Sequence, residues 1–141
     1  MKVVVDTNVI VAGLLSPFGP CSEILPMISG ALLTVCLDAR ILSEYKAVLS
    51  RKKFNFDRNK TSALLDYIEH EGHLVASTPL AESLLDPDDN PFYEVAIAGQ
   101  AVCLITGNIS HFPEALCQAI PVLVPREFLS LYARLYARKV R

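Results

Sequence analysis

The sequence predicts an α/β fold in which helices cover both faces of a mostly parallel central sheet. Short apolar stretches alternate with amphipathic helical stretches along the whole chain, a pattern typical of parallel sheets. The first of these stretches, residues 3–5, is β-branched and apolar throughout, as expected of a strand buried on both faces. There is no internal repeat or linker, and 141 residues predict a single domain over 1–141.

Local signals place each element in turn. The predicted strands, in chain order, are 3–5, 32–37, 73–76, 102–106 and 120–124. The predicted helices are 9–15, 21–30, 39–51, 59–72, 91–101, 112–119 and 126–138. Asp38 is a good N-cap for the third helix and Gly72 a stop signal for the fourth, while Asn90 and Pro91 cap and open the fifth. Pro125 introduces the last helix.

The composition excludes a disordered chain and gives no sign of membrane insertion. Hydrophobic residues make up 52% of the chain, charged residues 20%, and the mean hydropathy is +0.36. No secretory signal is expected, because the apolar start of the chain is interrupted at Asp6. The longest uncharged runs, 24–37 and 95–113, are too short or too polar to span a bilayer. The four cysteines contain no C-x-x-C pair, so we expect buried reduced thiols and a cytoplasmic location.

Charge is distributed unevenly along the chain, although the net charge is only −2. Residues 61–125 contain nine acids and no lysine or arginine. Two basic patches flank this acidic segment, and their members are Arg51, Lys52, Lys53, Arg58 and Lys60 in the first and Arg126, Arg134, Arg138, Lys139 and Arg141 in the second. Each patch alone is compatible with a solvated loop or a frayed tail. Beside an acidic, cation-filled site, however, the patches would form a phosphate-binding rim.

Acidic residues follow or flank the predicted sheet at three places. Asp6 comes directly after the first strand, at the carboxyl end where sites form in open α/β sheets, although an aspartate there can also cap a helix. Glu44 lies at the edge of the apolar stripe of the 39–51 helix and can turn either to the sheet or to water. Asp86, Asp88 and Asp89 form a turn cluster before another helix, and turns and caps alone can explain such residues.

Convergence of these acids would require a cation. Two carboxylates 4 Å apart repel each other by about 4 kcal/mol at an effective dielectric constant near 20. No lysine or arginine between 61 and 125 offsets that charge. Hard oxygen ligands select Mg²⁺ or Mn²⁺, and such an ion can activate water and stabilise the charge that develops on a phosphodiester.

Four short motifs follow one another along the chain. They are Val3-Val4-Val5-Asp6-Thr7-Asn8-Val9, Ser43-Glu44, Asp86-Pro87-Asp88-Asp89-Asn90-Pro91-Phe92 with Ala96, and Thr106-Gly107-Asn108 through His111-Phe112. In this order they resemble the PIN domain family (PilT N-terminus type), over nearly the whole chain. The resemblance is greatest to the bacterial and archaeal branch described as toxin components of toxin–antitoxin pairs. It implies a three-layer α/β/α domain with Mg²⁺- or Mn²⁺-dependent ribonuclease activity.

The resemblance also implies which acids form the site. Asp6, Glu44 and Asp89 match the acidic positions of the family that bind metal and carry catalysis. Asp89 is preferred to the other two acids of its turn because Ala96 follows it at the family's usual interval.

Two positions depart from the family pattern. Asn108 falls where many relatives have a fourth acid, and as a metal ligand it would keep a carbonyl oxygen but lose a charge. His111 falls where relatives often have another aspartate. These departures weaken the case for a second metal ion and for strong catalysis. Thr7, Asn8 and Thr106 resemble residues that support the metal ligands through hydrogen bonds.

The leading hypothesis is a metal-dependent endoribonuclease that uses metal-bound water to cleave single-stranded or loop RNA. The first basic patch and the C-terminal helix would hold the RNA backbone. A second enzyme class, the aspartyl-phosphate phosphatases and receiver-like domains, needs an aspartate where this chain has Asn8, and a lysine late in the sheet. A third hypothesis is a catalytically weak domain that binds RNA or a protein partner.

The resemblance further implies two protein partners, a small antitoxin and a second copy of this chain. An apolar, tyrosine-bearing face of the last helix would suit a homodimer interface, and its residues are Phe128, Leu129, Leu131, Tyr132, Leu135 and Tyr136. The same face is equally compatible with packing of that helix against the core.

Overall fold

A five-stranded parallel sheet runs through the centre of the protein. The computed structural model describes residues 1–137. The strands are β1 (Lys2–Val5), β2 (Thr34–Leu37), β3 (His73–Leu74), β4 (Cys103–Ile105) and β5 (Val122–Leu123). They lie in the order β3-β2-β1-β4-β5, and every neighbouring pair is parallel. The predicted α/β class with a parallel sheet is thus confirmed.

Six α-helices lie between and after the strands in residues 1–137. They are α1 (Thr7–Leu15), α2 (Pro20–Ser29), α3 (Ala39–Leu49), α4 (Arg58–Glu71), α5 (Asn90–Ala98) and α6 (Pro125–Ala137). The connections from β1 to β2 and from β2 to β3 step one way along the sheet, whereas the connection from β3 to β4 steps back. Because such crossovers are right-handed, α5 lies on the opposite face from the helices of the first two connections, which gives three layers.

The strand order reverses at β1, which is the central strand. Val3 lies opposite Val35 of β2 on one side and Cys103 of β4 on the other. Val3, Val4 and Val5 are all fully buried, as their apolar sequence predicts. The carboxyl ends of β1 and β4 therefore form the switch point of the sheet, which is where ligand sites form in open α/β folds.

The position of α3 is set by its N-cap and by a buried tyrosine. Asp38 accepts a hydrogen bond from the N–H of Ile41 at 3.0 Å and caps the helix as predicted. Tyr45 is fully buried and its hydroxyl donates a hydrogen bond to the main-chain carbonyl of Val5. Because Val5 ends β1, this contact brings Glu44, the neighbour of Tyr45, to the carboxyl edge of the sheet.

The predicted helix over 112–119 is wrong. The chain makes a single turn there, in which the N–H groups of Leu116 and Cys117 donate to the carbonyl of Pro113 at 2.9 and 3.0 Å. Phe112 and Cys117 are buried and anchor this turn at both ends. So short a segment forms too few hydrogen bonds to offset the cost of starting a helix.

The other predicted elements differ from the structure mainly at their ends. The strand predicted at 32–37 begins at Thr34 because the N–H groups of residues 32 and 33 still bond to the carbonyl of Met27 in α2. The helix predicted at 91–101 stops at Ala98, since Gln100 adopts a left-handed conformation with φ +51°. The strands predicted at 73–76 and 120–124 are two residues long. The last predicted helix ends at Arg138, which lies outside the described residues. Lys139 and Arg141, which belong with Arg138 to the second basic patch, also lie outside them.

Three of the four cysteines, Cys36, Cys103 and Cys117, are buried, and Cys21 is half-buried. All four cysteines are free, and Cys36 and Cys103 are buried as predicted. Burial raises the pKa of the Cys103 thiol to about 12, so this group stays protonated. Within residues 1–137 no single helix is long and apolar enough to span a membrane. The helices α1 and α2 together have the length and composition of a span, with a bend of 105° between them.

Gly72 closes the packing between α4 and β2, and its replacement tests this arrangement. A Cβ atom at position 72 would lie 2.3 Å from the carbonyl oxygen of Ile68, 2.6 Å from Leu37 Cδ2 and 2.9 Å from the carbonyl oxygen of Val35. Gly72→Ala should lower the free energy of unfolding in urea by about 1–3 kcal/mol. Gly30→Ala meets a single backbone oxygen at 2.9 Å and should lose less, so an equal loss would contradict this packing.

Candidate functional site

Asp6 is a buried carboxylate that does not cap the helix it precedes. It occupies the N-cap position of α1, yet its side chain makes no capping hydrogen bond. Its Oδ2 instead accepts hydrogen bonds from Thr106 Oγ1 at 2.8 Å and from Asn8 Nδ2 at 3.2 Å, and the residue is only 7% exposed. Side-chain capping therefore does not explain Asp6, which lies at the switch point with polar partners from α1 and from the end of β4.

Thr106 and Asn8 hold Asp6 in place and join the loop after β4 to α1. Thr106 is fully buried, and its hydroxyl also accepts a hydrogen bond from the N–H of Asn108 at 3.0 Å. The side-chain carbonyl of Asn8 accepts a hydrogen bond from the N–H of Gly107 at 2.9 Å. A Cβ on Gly107 would lie 3.2 Å from that oxygen, so glycine allows the two segments to approach closely.

Glu44 reaches the same edge of the sheet from α3. It is half-buried and accepts a hydrogen bond from the hydroxyl of Thr7, the first residue of α1. The alternative in which Glu44 turns away to water is therefore wrong. Burial raises the pKa of Glu44, the charge of Asp6 raises it further, and the positive charge of Arg51 lowers it.

Asp89 is the third acid at this edge and is paired with a histidine. Its side chain is 14% exposed, and its Oδ2 lies 3.1 Å from Nδ1 of His111. Asp86 is exposed and caps the short 3₁₀ turn Pro87–Asp89, because it accepts a hydrogen bond from the N–H of Asp88 at 2.9 Å. Of the three acids in this turn, Asp89 is thus the one whose side chain is held by another part of the fold.

The three carboxylates act on one another electrostatically. Burial raises the pKa of Asp6, and the charge of Asp89 raises it further. Burial also raises the pKa of Asp89, with smaller contributions in the same direction from Asp86 and then from Glu44. His111 lowers the pKa of both aspartates. Acids from the end of β1, from α3 and from the turn before α5 therefore face one edge of the sheet.

The donor chemistry of this edge fits a hard divalent cation, although the side chains are not gathered around one point. Carboxylate oxygens are the ligands that Mg²⁺ and Mn²⁺ prefer, and a cation would stabilise the charged forms that burial, and secondarily mutual repulsion, disfavour. Among residues 1–137, however, no three His, Cys, Asp or Glu side chains are grouped closely enough to hold an ion. Glu44 is bonded to Thr7 and Asp89 to His111, and a shared ion would compete with both partners.

The loop after β4 contains Asn108, a predicted metal ligand, and His111, whose contact with Asp89 was not predicted. Asn108 is exposed, and its hydrogen bonds to Thr106 and His111 use main-chain atoms. Its role as a ligand stays a prediction. The contact between His111 and Asp89 was not predicted, although His111 follows the carboxyl end of a strand in the same loop as Asn108.

The structure divides the first basic patch into two sets. Arg51, Lys52 and Arg58 line a cleft between α3 and α4, whereas Lys53 and Lys60 are exposed outside its lining. Lys53 instead lies over the ring of Phe54, with its Nζ 5.1 Å from the ring centre. RNA binding by the five residues of the first basic patch stays a prediction.

Glu94 is a buried acid that the sequence analysis did not single out. It is 5% exposed and accepts hydrogen bonds from Arg40 Nη1 at 2.8 Å and from the N–H of Leu80 at 3.0 Å. Arg40 also pairs with Asp38 at 2.7 Å. This network ties the segment after β3 to α3 and α5. The signal in the sequence is a single acid inside the otherwise apolar helix predicted at 91–101.

Comparison with known proteins identifies the family. The family model of the PIN domain matches residues 2–110, which is most of the chain. The chain belongs to the PIN domain family. PIN domains are generally nucleases that use divalent metal ions. No curated protein matches the chain. Asp6, Glu44, Asp89 and Asn108 all fall inside the matched range, and His111 follows directly after it.

A solved structure confirms the fold of this PIN domain. One chain in the crystal structure of VapBC2 from Rickettsia felis, bound to a DNA fragment from their promoter, is similar with a TM-score of 0.55 and 16% sequence identity. The similarity covers 88% of this chain and 98% of that chain. At this identity the likeness concerns the fold alone, and it confirms the three-layer α/β/α architecture.

Replacing Asp6 tests whether its charge opposes folding. Because burial and Asp89 raise its pKa, the folded protein binds this proton more tightly than the unfolded chain does. The charged carboxylate therefore lowers stability above the ordinary aspartate pKa of 3.8 and has no such effect below it. Asp6→Asn should have a higher Tm than the wild type near pH 7, and the gain should shrink as the pH falls toward 3.8.

Thermal unfolding followed by circular dichroism at several pH values measures this gain. Asp66→Asn, at an exposed position of α4, is the matched control and should show no such gain. A Tm for Asp6→Asn that equals or falls below the wild-type value near pH 7 would contradict the electrostatic description of the site.

Proposed function

We propose that this PIN domain is a divalent-metal-dependent endoribonuclease and the toxin of a toxin–antitoxin pair. The observation that carries the proposal is Asp6, a buried carboxylate at the carboxyl end of β1 that is bonded to Thr106 and Asn8 and is followed by Thr7, the partner of Glu44. Partly buried carboxylates that raise one another's pKa are typical of functional sites. The general nuclease activity of PIN domains supports the class of reaction.

The three acids would hold Mg²⁺ or Mn²⁺, and Asn108 would add a carbonyl oxygen. A bound ion would lower the pKa of a water molecule and offset negative charge on the phosphodiester. Carboxylates and amides suit this role because hard cations prefer oxygen ligands. Arg51 of the first basic patch lines one groove with Thr7 and Glu44, which supports a polyanionic substrate such as RNA.

Neighbouring hydroxyl and amide groups fix the direction of the acids. Thr106 and Asn8 donate to Asp6, and Thr7 donates to Glu44. Such outer hydrogen bonds hold metal ligands in a productive orientation, and their loss typically costs 10–100-fold in metal affinity or activity, as an order of magnitude.

Cleavage of single-stranded and loop RNA tests the proposed activity. The wild type should cleave in Mg²⁺ or Mn²⁺ and stop when a chelator is added. Asp6→Asn should lose activity by about 100-fold or more, because a ligand charge is removed from the site. Cleavage is followed with end-labelled RNAs on denaturing gels.

Glu23→Gln is the control, because Glu23 is an exposed acid on α2 away from the site, and it should cleave like the wild type. Circular dichroism establishes that both variants are folded. Equal cleavage by Asp6→Asn and the wild type would exclude Asp6 from the reaction.

The contact between His111 and Asp89 favours a second candidate function. This contact occupies Oδ2 of Asp89, one of the oxygens that would otherwise be available to a cation. On this alternative, the protein is a catalytically weak PIN domain that binds RNA or a partner protein. It would then leave the labelled RNA uncleaved on denaturing gels, whether or not a divalent ion is present, yet shift the same RNA on native gels.

We further propose a cytoplasmic protein with an antitoxin partner and a second copy of itself as a dimer partner. The similar chain of VapBC2 comes from a complex bound to DNA, which supports the antitoxin. Support for a dimer comes from α6, whose predicted apolar face is divided. Phe128 is buried in the core, whereas Leu135 stays 38% exposed.

A further inference from the structure

A cleft of about 660 Å³ opens between α3 and α4. We refer to it as the α3–α4 cleft, and its walls are the end of α3, the connecting loop 50–57 and the first half of α4. Its floor is apolar, because Leu49 and Leu65 are buried there and Phe56 is half-buried. Its volume lies within the roughly 300–1,000 Å³ typical of sites for small ligands.

Cations dominate the rim of the α3–α4 cleft. Arg51, Lys52 and Arg58 line it and are exposed. Among residues 1–137, none of these three side chains is in a salt bridge. The other charged groups of the lining, Lys46 and Asp66, are of opposite sign. The cleft therefore has an excess of positive charge, which favours an anionic ligand.

An apolar floor under a basic rim fits a planar ring joined to a phosphate, as in a nucleotide. Phe56 stacks on Phe54, with ring centres 5.2 Å and ring planes 15° apart. Asn55 and Ser62 are exposed in the lining and offer polar groups to a base or a sugar. Aromatic rings beside a positively charged groove are the usual means of binding single-stranded nucleic acid without sequence preference.

The α3–α4 cleft continues toward the acidic edge of the sheet. A second groove, of about 340 Å³, is lined by Thr7, Glu44 and Phe54. Arg51 lines both the groove and the cleft, and its charge lowers the pKa of Glu44. One strand of nucleic acid can thus run from the acids past Arg51 and the stacked phenylalanines into the cleft.

We propose that the α3–α4 cleft binds a nucleotide of single-stranded RNA that flanks the cleaved bond. Arg51, Lys52 and Arg58 bind its phosphates, and Phe56 packs against its base. The proposal says where the substrate of the ribonuclease binds, and so it rests on the proposed function.

Fluorescence anisotropy of a labelled single-stranded oligoribonucleotide of about 12 nucleotides measures binding apart from cleavage. The protein carries Asp6→Asn and the buffer contains a chelator, so the RNA stays intact. In this background, Lys52→Ala combined with Arg58→Ala should weaken binding by about 10-fold or more. The slope of log K against log salt should fall by about 1.4, because two phosphate contacts are lost. Phe56→Leu should weaken binding by about 5-fold or more, because it removes the ring but keeps an apolar floor.

A matched pair of substitutions outside the cleft gives the control. Lys2→Ala combined with Lys60→Ala removes the same charge from exposed positions outside the cleft lining and should weaken binding by less than about 3-fold. Lys2→Ala, at the amino end of β1, should leave Kd unchanged. Equal losses for the two pairs, with both variants folded by circular dichroism, would overturn the cleft as the binding site and indicate a diffuse basic surface.

Further outcomes distinguish a failure of the cleft proposal from a failure of the proposed nuclease activity. If the wild type cleaves no RNA but the cleft variants still lose binding, the nuclease is wrong and the cleft stands as a nucleotide site. If RNA is cleaved and the cleft variants bind and cleave it like the parent protein, the cleft proposal alone is wrong. A glutamate-rich peptide that binds in the cleft where the oligoribonucleotide does not would also overturn it, in favour of an acidic protein partner.

Discussion

The burial of the Asp6 carboxylate between β1 and β4 is the constraint on which the rest of the site depends. Val5 of β1 pairs with Ile105 of β4, so the residues that follow them, Asp6 and Thr106, leave the sheet side by side. Their hydrogen bond, together with the two made by Asn8, links β1, α1 and the loop after β4. A shift in the register of these strands would separate the groups, because successive residues of a strand point to opposite faces.

The buried acids Glu94 and Asp6 have different partners, and this difference indicates which of them belongs to a binding site. Glu94 is paired with Arg40, so its charge is balanced within the fold. Asp6 is bonded to the neutral donors of Thr106 and Asn8, and its pKa is raised by burial and by Asp89. A buried charge without a cationic partner lowers stability. Its presence at the switch point is explained if a cation from solution binds there.

Local signals account for most of what the sequence could predict. Val3–Val5 marks the central strand by composition, Asp38 caps α3, and the helical periodicity of 39–51 puts Glu44 at the edge of the apolar stripe, while only the structure shows that it bonds to Thr7. The pairs Asp89–His111 and Glu94–Arg40 join residues 22 and 54 positions apart, so no local pattern reveals them. The division of the first basic patch was equally hidden, because the loop between α3 and α4 has no periodicity from which the direction of its side chains follows.

The most direct test of the central claim is an anomalous difference map from crystals soaked in Mn²⁺. If these acids bind the ion, a peak should lie at the carboxyl edge of β1 and β4, within about 2–2.5 Å of an oxygen of Asp6 and of at least one oxygen of Glu44 or Asp89. The peak should vanish in crystals of Asp6→Asn. Well-diffracting crystals with no peak at this edge, or with an equal peak in the variant, would contradict the claim that these acids bind a metal ion.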